Sequence, residues 1–276
     1  MVRPEDTRAA RRLPWSEEPA DAQLARSAAL FAGLEQTGAP ALRWYRISPP
    51  ALLLGSAQRL HEIDAAACRA AGIRLHRRGS GGGVVLADST LLLLDLALPH
   101  DDPRYRYDVT ESYRWLGEVW AVALRALGLD ARSVAVAEAR ADAQELDPLT
   151  RRVCFGALSP YEVAVGPRKV VGLAQIRRRA GALFQAGVYL QWAPWRTAAF
   201  MAAAEAERAG LAARLAARVA GIDELLGWQV EAGVVEHAVE QALAEVAGLA
   251  PADDDWSDRE RAAWQANAAR YAPFVL

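Results

Sequence analysis

The sequence predicts a mixed α/β (α+β) fold, in which sheets are flanked by helices and a helical extension ends the chain. Up to residue 190, short apolar or alternating segments typical of strands are interleaved with amphipathic helical segments. The last three of these apolar segments are joined by short Gly-containing turns, as in a β-meander. From Trp195 onward the apolar residues recur at helical spacing. The 276 residues, 53% of them hydrophobic, suffice for one large domain or for one domain with an extension.

The elements are expected in the following order. A flexible segment at 1–14 precedes a helix at 15–34. Strands follow at 41–47 and 51–55, a short helix closed by a glycine at 62–72, and a strand at 73–77 that enters a glycine loop. Two buried strands within 84–98 precede a helix at 109–130 and a polar, mobile loop at 137–152. The meander is predicted at 161–165, 169–177 and 182–190, and the tail helices at 198–207, 211–219, 230–246 and 258–271.

Charge and cysteine content limit the classes of function. A formal net charge of -2 argues against a protein that coats nucleic acid. Two cysteines are too few for a disulfide scaffold and fit a reducing cytosol. No histidine has metal-ligand spacing to another histidine or to a cysteine, so no metal site is predicted. With neither a secretory signal nor an apolar segment long enough to span a bilayer, we expect a cytoplasmic protein without nucleic-acid or membrane partners.

The most unusual stretch is the glycine loop, Arg77-Arg78-Gly79-Ser80-Gly81-Gly82-Gly83-Val84-Val85. Consecutive glycine amides can form a nest for an anion or a carbonyl oxygen. A strand follows the loop where a dinucleotide motif would have a helix, and the Gly-Lys-Ser/Thr of a P-loop is missing. By itself, the loop is equally consistent with a tight bend between two strands. Because side chains alternate along a strand, at most one of Arg77 and Arg78 points into a pocket.

A second motif, Arg168-Lys169-Val170-Val171-Gly172-Leu173-Ala174-Gln175, follows later in the chain. Together, the two motifs resemble those of the lipoate-protein ligase and octanoyltransferase family. The resemblance implies a catalytic domain like that of the biotin and lipoate ligases over 15–192, with mixed, mostly antiparallel sheets. Residues 193–276 would then form a helical extension packed on that domain.

The resemblance also implies substrate-binding residues around an acyl site. These are Arg77, Arg78, Ser80, Gly81, Gly82, Gly83, Gly172 and Gln175. The glycine loop and the lysine strand would flank a tunnel for an eight-carbon acyl chain, because only glycine lets the main chain come so close.

A third segment, Cys154-Phe155-Gly156-Ala157-Leu158-Ser159-Pro160-Tyr161-Glu162, resembles the cysteine-dependent octanoyl-carrier-protein:protein octanoyltransferases of that family. The implied reaction transfers an octanoyl or lipoyl group through a Cys154 thioester to a specific lysine of a lipoyl-carrier protein. Lys169 would stabilise the thiolate and the oxyanion. The implied partners are an acyl carrier protein and an acceptor such as glycine cleavage H protein or an E2 subunit, with no cofactor. Cys68, on an alanine-rich helix, is interpreted as a packing residue.

Two positions depart from the family pattern. Ala87 and Ala186 occupy sites where the family often has histidine, and Gly83 resembles the ATP-dependent ligases more than the octanoyltransferases. Four alternatives therefore stay open. They are an ATP- and Mg-dependent lipoate ligase, a lipoyl-domain amidotransferase, a non-catalytic protein that binds an acyl or carrier domain, and a biotin ligase.

Overall fold

The structure, a computed structural model, describes residues 7–275. Within this range the strands are β1 (Arg8–Glu18), β2 (Ala41–Ile47), β3 (Ala51–Leu54), β4 (Arg74–Arg77), β5 (Val85–Ala87), β6 (Leu91–Pro99), β7 (Ala131–Ser133), β8 (Val163–Val165), β9 (Arg168–Arg178), β10 (Gly181–Tyr189) and β11 (Leu249–Asp253). The α-helices of the same range are α1 (Ala20–Thr37), α2 (Ala65–Ala70), α3 (Arg114–Ala126), α4 (Val136–Glu145), α5 (Pro148–Arg151), α6 (Pro194–Ala198), α7 (Glu205–Arg218), α8 (Ile222–Leu226), α9 (Ala232–Ala247) and α10 (Asp258–Asn267). Single 3-10 turns include Leu60–Glu62 and Cys154–Gly156.

The described strands form two sheets. The larger has the order β11-β1-β2-β6-β10-β9-β8-β7, and the smaller has the order β4-β3-β5. In the larger sheet β1 runs parallel to both of its neighbours, and the remaining pairs are antiparallel. In the smaller sheet β3 is parallel to β4 and antiparallel to β5. The predicted fold class, with mixed and mostly antiparallel sheets flanked by helices, is confirmed.

Each face of the larger sheet is covered. Helices α3 and α9 pack on one face, where Trp120 and Val239 join Phe184 of β10 in the main core. The opposite face carries α1 and the smaller sheet, whose Leu53 packs with Tyr45 of the larger sheet. The space between the two sheets is therefore where side chains of both can form a site. Among residues 7–275, no helix combines the length and apolarity that a membrane span requires.

The start of the chain differs from the prediction. Residues 8–14, expected to be flexible, and 15–18, expected to be helical, form β1 inside the larger sheet, and α1 begins only after Pro19. The segment Arg8–Glu18 is rich in arginine and therefore looks like an exposed polar segment. It forms a strand inside the sheet because these arginines pair with acidic residues far along the chain. Arg11 contacts Asp254 at 2.5 Å and Glu260 at 3.0 Å. Residues 1–6 of the predicted flexible segment lie outside the described residues.

The polar segment at 137–152 is helical, and the expectation of a mobile loop there is wrong. Helix α5 begins with Pro148, and the side chain of Asp147 accepts hydrogen bonds from the amides of Leu149 and Thr150. An Asp at the N-cap followed by Pro is a strong start for a helix. Arg218 of α7 pairs with Asp142 of α4, so the C-terminal segment holds α4 in place.

The C-terminal segment is not wholly helical. After α9 ends at Gly248, which has a φ of 61°, residues 249–253 form β11 and pair in parallel with β1. Helix α10 then packs on α1. The division of the chain into a catalytic domain and an extension at residue 192 stays a prediction.

Candidate active site

The glycine loop connects β4 to β5 and lies against the main chain on two sides. A Cβ atom on Gly83 would lie 2.4 Å from the carbonyl oxygen of Arg152, and one on Gly55 would lie 1.9 Å from that of Gly82. Gly82 itself has a φ of 92°, in the left-handed region that favours glycine. The loop can therefore be this close to its neighbours only because these positions lack side chains.

The same contacts bring the cysteine segment to the loop. The amide of Val84 donates to the carbonyl of Arg152 at 2.8 Å, and the amide of Cys154 donates back to the carbonyl of Val84 at 3.0 Å. The two form a short parallel bridge. Two motifs 70 residues apart in sequence are thus joined by main-chain hydrogen bonds, and Cys154 is half-buried beside the glycines.

Of the two loop arginines, Arg78 faces the cysteine. Its Nη2 lies 3.6 Å from Sγ of Cys154 and donates to the carbonyls of Gly81 at 2.7 Å and Gly83 at 2.9 Å. Arg77 points the other way and donates to the carbonyls of Gly55 and Gln58. The guanidinium of Arg78 is therefore the cationic group next to the sulfur.

Lys169 reaches the main chain of the cysteine turn. Its ammonium donates to the carbonyl oxygens of Cys154 and Ala157, both at 3.0 Å, and pairs with Glu162 at 2.7 Å. An ammonium has three N–H donors, so these three partners use all of them. The side chain is 1% exposed. In this arrangement Lys169 fixes the turn that carries Cys154, and it is the only lysine in the sequence.

Glu162 was missed as a candidate by the sequence reasoning. It is buried, and besides Lys169 it accepts hydrogen bonds from the amides of Ser159 at 2.7 Å and Leu173 at 3.1 Å. Burial raises the pKa of this carboxyl, and the charge of Lys169 opposes the increase. The signal that could have found it is its place at the end of the cysteine motif, seven residues before the lysine.

A narrow apolar channel leads from Cys154 into the space between the two sheets. Its floor is a row across four strands of the larger sheet, Tyr45, Leu93, Gly187 and Gly172. Two glycines side by side leave this part of the sheet bare, and apolar side chains including Leu24, Leu53 and Phe155 form the walls. Arg78, Ser80 and Gln185 also line the channel, but most of its lining is apolar, which suits a hydrocarbon chain.

The next row of the same sheet is polar and buried. Arg43 and Asp95 are both fully buried and pair at 2.8 Å, and Gln185 donates to Asp95 at 2.9 Å. Ser27 of α1 donates to the same carboxylate at 2.6 Å. Sequence reasoning missed this network, although the aspartate within the apolar run Leu91–Pro99 was a signal for it.

On its other side Cys154 opens into a wide cleft of about 650 Å³. The cleft is lined by the glycines of the loop and by polar side chains, which include Gln58, Glu62, Arg151, Arg152 and Gln175. Cys154 lines both spaces and therefore lies at the junction between an apolar channel and an open polar cleft.

The remaining predicted residues are distributed between these spaces. Ser80 lines the channel, is 2% exposed, and its hydroxyl has no hydrogen-bond partner among the described residues. Gln175 lines the cleft and donates to the carbonyl of Val109 at 2.9 Å. Ala87 and Ala186 are buried in apolar clusters. Cys68 is fully buried, and burial raises the pKa of its thiol to about 11, so its role is packing.

Comparison with known proteins agrees with the sequence motifs. The sequence is 35% identical over 206 residues to octanoyltransferase LipM of Moorella thermoacetica, covering 74% of this chain and 73% of that protein. It is 33% identical over 230 residues to octanoyltransferase LipM of Kyrpidia tusciae, covering 81% of this chain and 82% of that one.

Solved structures share the fold. A bi-partite lipoate protein ligase from Thermoplasma acidophilum superimposes with a TM-score of 0.77 at 23% identity, over 96% of this chain and 92% of that one. Lipoate-protein ligase A, solved with bound ATP, gives a TM-score of 0.74 at 22% identity, over 95% of each chain. The lipoyl protein ligase A/B catalytic domain model matches residues 19–244. The chain therefore belongs to the lipoyl protein ligase A/B catalytic domain family, as the two motifs predicted.

Proposed function

We propose that this protein is an octanoyltransferase of lipoate metabolism, which passes an octanoyl group through a Cys154 thioester to a lysine of a lipoyl-carrier protein. The single observation that carries the proposal is the place of Cys154, where the channel for an acyl chain meets the cleft that is open to a protein partner. The names of the relatives support octanoyl as the acyl group and transfer as the reaction.

In the first half-reaction the octanoyl chain occupies the channel and its thioester carbonyl lies beside the sulfur. The Cys154 thiolate attacks that carbon, a new C–S bond forms, and the bond to the sulfur of the donor breaks. The donor leaves as a thiolate and takes up the proton that the Cys154 thiol gave up. The Arg78 guanidinium, 3.6 Å from Sγ, stabilises the negative charge of the attacking sulfur.

The oxyanion formed in this step needs hydrogen-bond donors. The amides of Gly81, Gly82 and Gly83 have no acceptor among the described residues, and they border the space next to Cys154. The hydroxyl of Ser80 is a further donor at the start of the channel. Lys169 can join them only when the oxyanion replaces the carbonyl of Cys154 or Ala157 as acceptor.

In the second half-reaction the amine of the acceptor lysine enters through the cleft and attacks the acyl-enzyme carbonyl. An amide C–N bond forms, the bond to Sγ of Cys154 breaks, and the proton that the amine nitrogen loses goes to the departing sulfur, which regenerates the thiol. The donor, in this proposal an acyl carrier protein, and the acceptor, a lipoyl domain, use the same opening in turn. No nucleotide or metal takes part in either step.

The test is intact mass after mixing the protein with octanoyl-loaded acyl carrier protein, without ATP. We expect a hydroxylamine-labile octanoyl adduct on the wild type and on Cys68→Ala, the matched control, and none on Cys154→Ala. Because the only lysine is buried, amide adducts on side chains do not compete. An equal adduct on folded Cys154→Ala would refute the thioester.

Two further arms separate the alternatives. Octanoylated lipoyl domain as the only donor tests the amidotransferase, which uses the same cysteine. Free octanoate with ATP and Mg tests the ligase. This alternative is included because the loop has three consecutive glycines and because ligases have a similar fold. Product formed only in the ATP arm would replace the proposed transfer by ligation.

A further inference from the structure

We propose that Glu62 binds the ammonium of the acceptor lysine and accepts its proton in the second half-reaction. This inference rests on the proposed function and deepens it, because it assigns the acceptor substrate a specific contact. The residue lines the same cleft as Cys154 and ends the 3-10 turn Leu60–Glu62.

A hydrogen-bonded bridge connects the Glu62 carboxylate to the segment that carries Cys154. The amide Nε2 of Gln58 donates to Glu62 Oε2 at 3.1 Å and to the carbonyl of Arg152 at 3.0 Å. That carbonyl, two residues before Cys154, also accepts the amide of Val84. One glutamine side chain therefore holds Glu62 to the strand–loop bridge that positions the nucleophile.

The Glu62 carboxylate makes no ion pair with any other described residue. Of the described residues that line the cleft, one other is a carboxylate, Glu162, which is buried and paired with Lys169. Glu62 is half-buried, and no ion pair to it is found among residues 7–275. Its one side-chain hydrogen bond comes from the neutral amide of Gln58, so the charge is available to a cation that enters the cleft.

The acceptor is such a cation. A lysine side chain has a pKa of about 10.4 and arrives protonated at neutral pH, whereas the nucleophile that attacks a thioester is the free amine. Arg151 and Arg152 also line the cleft, and their positive charges oppose the entry of the protonated lysine. Glu62 offsets that repulsion and takes one proton from the ammonium, which gives the amine nitrogen the lone pair that bonds to the acyl carbon. The nitrogen loses a second proton to the departing Cys154 sulfur as the amide forms, and the proton on Glu62 passes to solvent.

The donor half-reaction brings no ammonium, so the effect of Glu62 is confined to the second step. Glu62→Gln keeps an oxygen that accepts the hydrogen bond from Gln58 and removes only the charge. Glu205→Gln is the matched control, because Glu205 is exposed at the start of α7 and does not line the cleft.

The experiment uses the full chain and measures three rates in single turnover. They are acyl-enzyme formation from octanoyl-loaded acyl carrier protein, transfer from the isolated acyl-enzyme to a lipoyl domain, and release by hydroxylamine. In Glu62→Gln we expect the transfer to lysine to slow about 100-fold, while the other two rates and all rates of Glu205→Gln stay unchanged.

Two results would overturn this assignment. One is a normal rate of transfer to lysine in Glu62→Gln, and the other is an equal loss in all three steps, which would mean that the substitution only disturbs the loop. Failure of the proposed function is distinguishable, since the wild type itself would then form no acyl-enzyme and this inference would fall with it.

Discussion

Replacing Lys169 with methionine tests whether the buried lysine stabilises the fold, takes part in the acyl transfer, or does both. Methionine is of similar length and apolar, so it fills the space but removes the charge and three hydrogen bonds. Glu162 would then be a buried carboxylate facing only the amides of Ser159 and Leu173. Removing one partner of a buried ion pair costs about 3–5 kcal/mol, and we expect a loss of that size at pH 8.

The loss of stability in Lys169→Met should be smaller at low pH than at high pH. The pKa of the Glu162 carboxyl is already raised by burial, and without Lys169 it rises further. A carboxyl whose pKa is higher in the folded state contributes stability below its unfolded pKa and loses that contribution as pH rises through the folded value. The gap between Lys169→Met and wild type should therefore narrow as pH falls, by up to about 1.4 kcal/mol per pH unit. The lost bonds to Cys154 and Ala157 leave a remainder of about 1–2 kcal/mol at pH 5.

The assay is urea unfolding at pH 5 and pH 8, alongside acyl-enzyme formation. The double variant that combines Lys169→Met with Glu162→Gln is the control, because it removes both charges and should be more stable at pH 8 than Lys169→Met alone. A pH-independent gap, or a double variant no more stable than the single one, would refute the buried-charge argument. A double variant with wild-type stability that forms no acyl-enzyme would mean that the Lys169–Glu162 pair is needed for the reaction beyond its effect on stability.

Three further predictions concern the sulfur, the channel and a helix cap. Arg78→Lys replaces the planar guanidinium, whose Nη2 contacts Gly81, Gly83 and Sγ, by a compact ammonium on a different stem, so we expect acyl-enzyme formation to slow about 100-fold with little loss of lipoyl-domain binding, measured in single turnover. A Cβ at Gly187 would lie 3.3 Å from Leu93, so Gly187→Val should reject octanoyl donors more strongly than acetyl donors; equal losses for both would contradict this account of the channel. Ser257→Ala removes the N-cap of α10 and should cost about 1 kcal/mol in denaturant titration without changing activity.

Several features follow from local sequence alone. The glycine loop between two strands, the meander β8–β10 and most helices could be predicted, because turn chemistry and the period of apolar residues act over a few residues. The glycine loop and the motif containing Lys169 also identified the family, and the segment containing Cys154 pointed to its cysteine-dependent members.

Other features depended on contacts between distant segments. β1 looked flexible because its arginines are polar in isolation. It becomes a strand only because β11, some 240 residues later in the chain, pairs with it, while Asp253 at the end of β11 and Asp254 just after it pair with its arginines. Likewise, the helical structure of 136–151 depends on an N-cap and on a pairing with α7.

The candidate site divides in the same way. The sequence determined which chemical groups are available, a thiol, a glycine loop and a lysine, since residue type sets what a group can do. Only the tertiary structure decided that Arg78 and not Arg77 faces the sulfur, that Lys169 binds the carbonyl of Cys154, and that Glu62 lines the cleft without an ion pair to any other described residue. The direction of a side chain and its competing partners are set by packing between elements far apart in the chain, and these long-range contacts cannot be inferred from local sequence patterns.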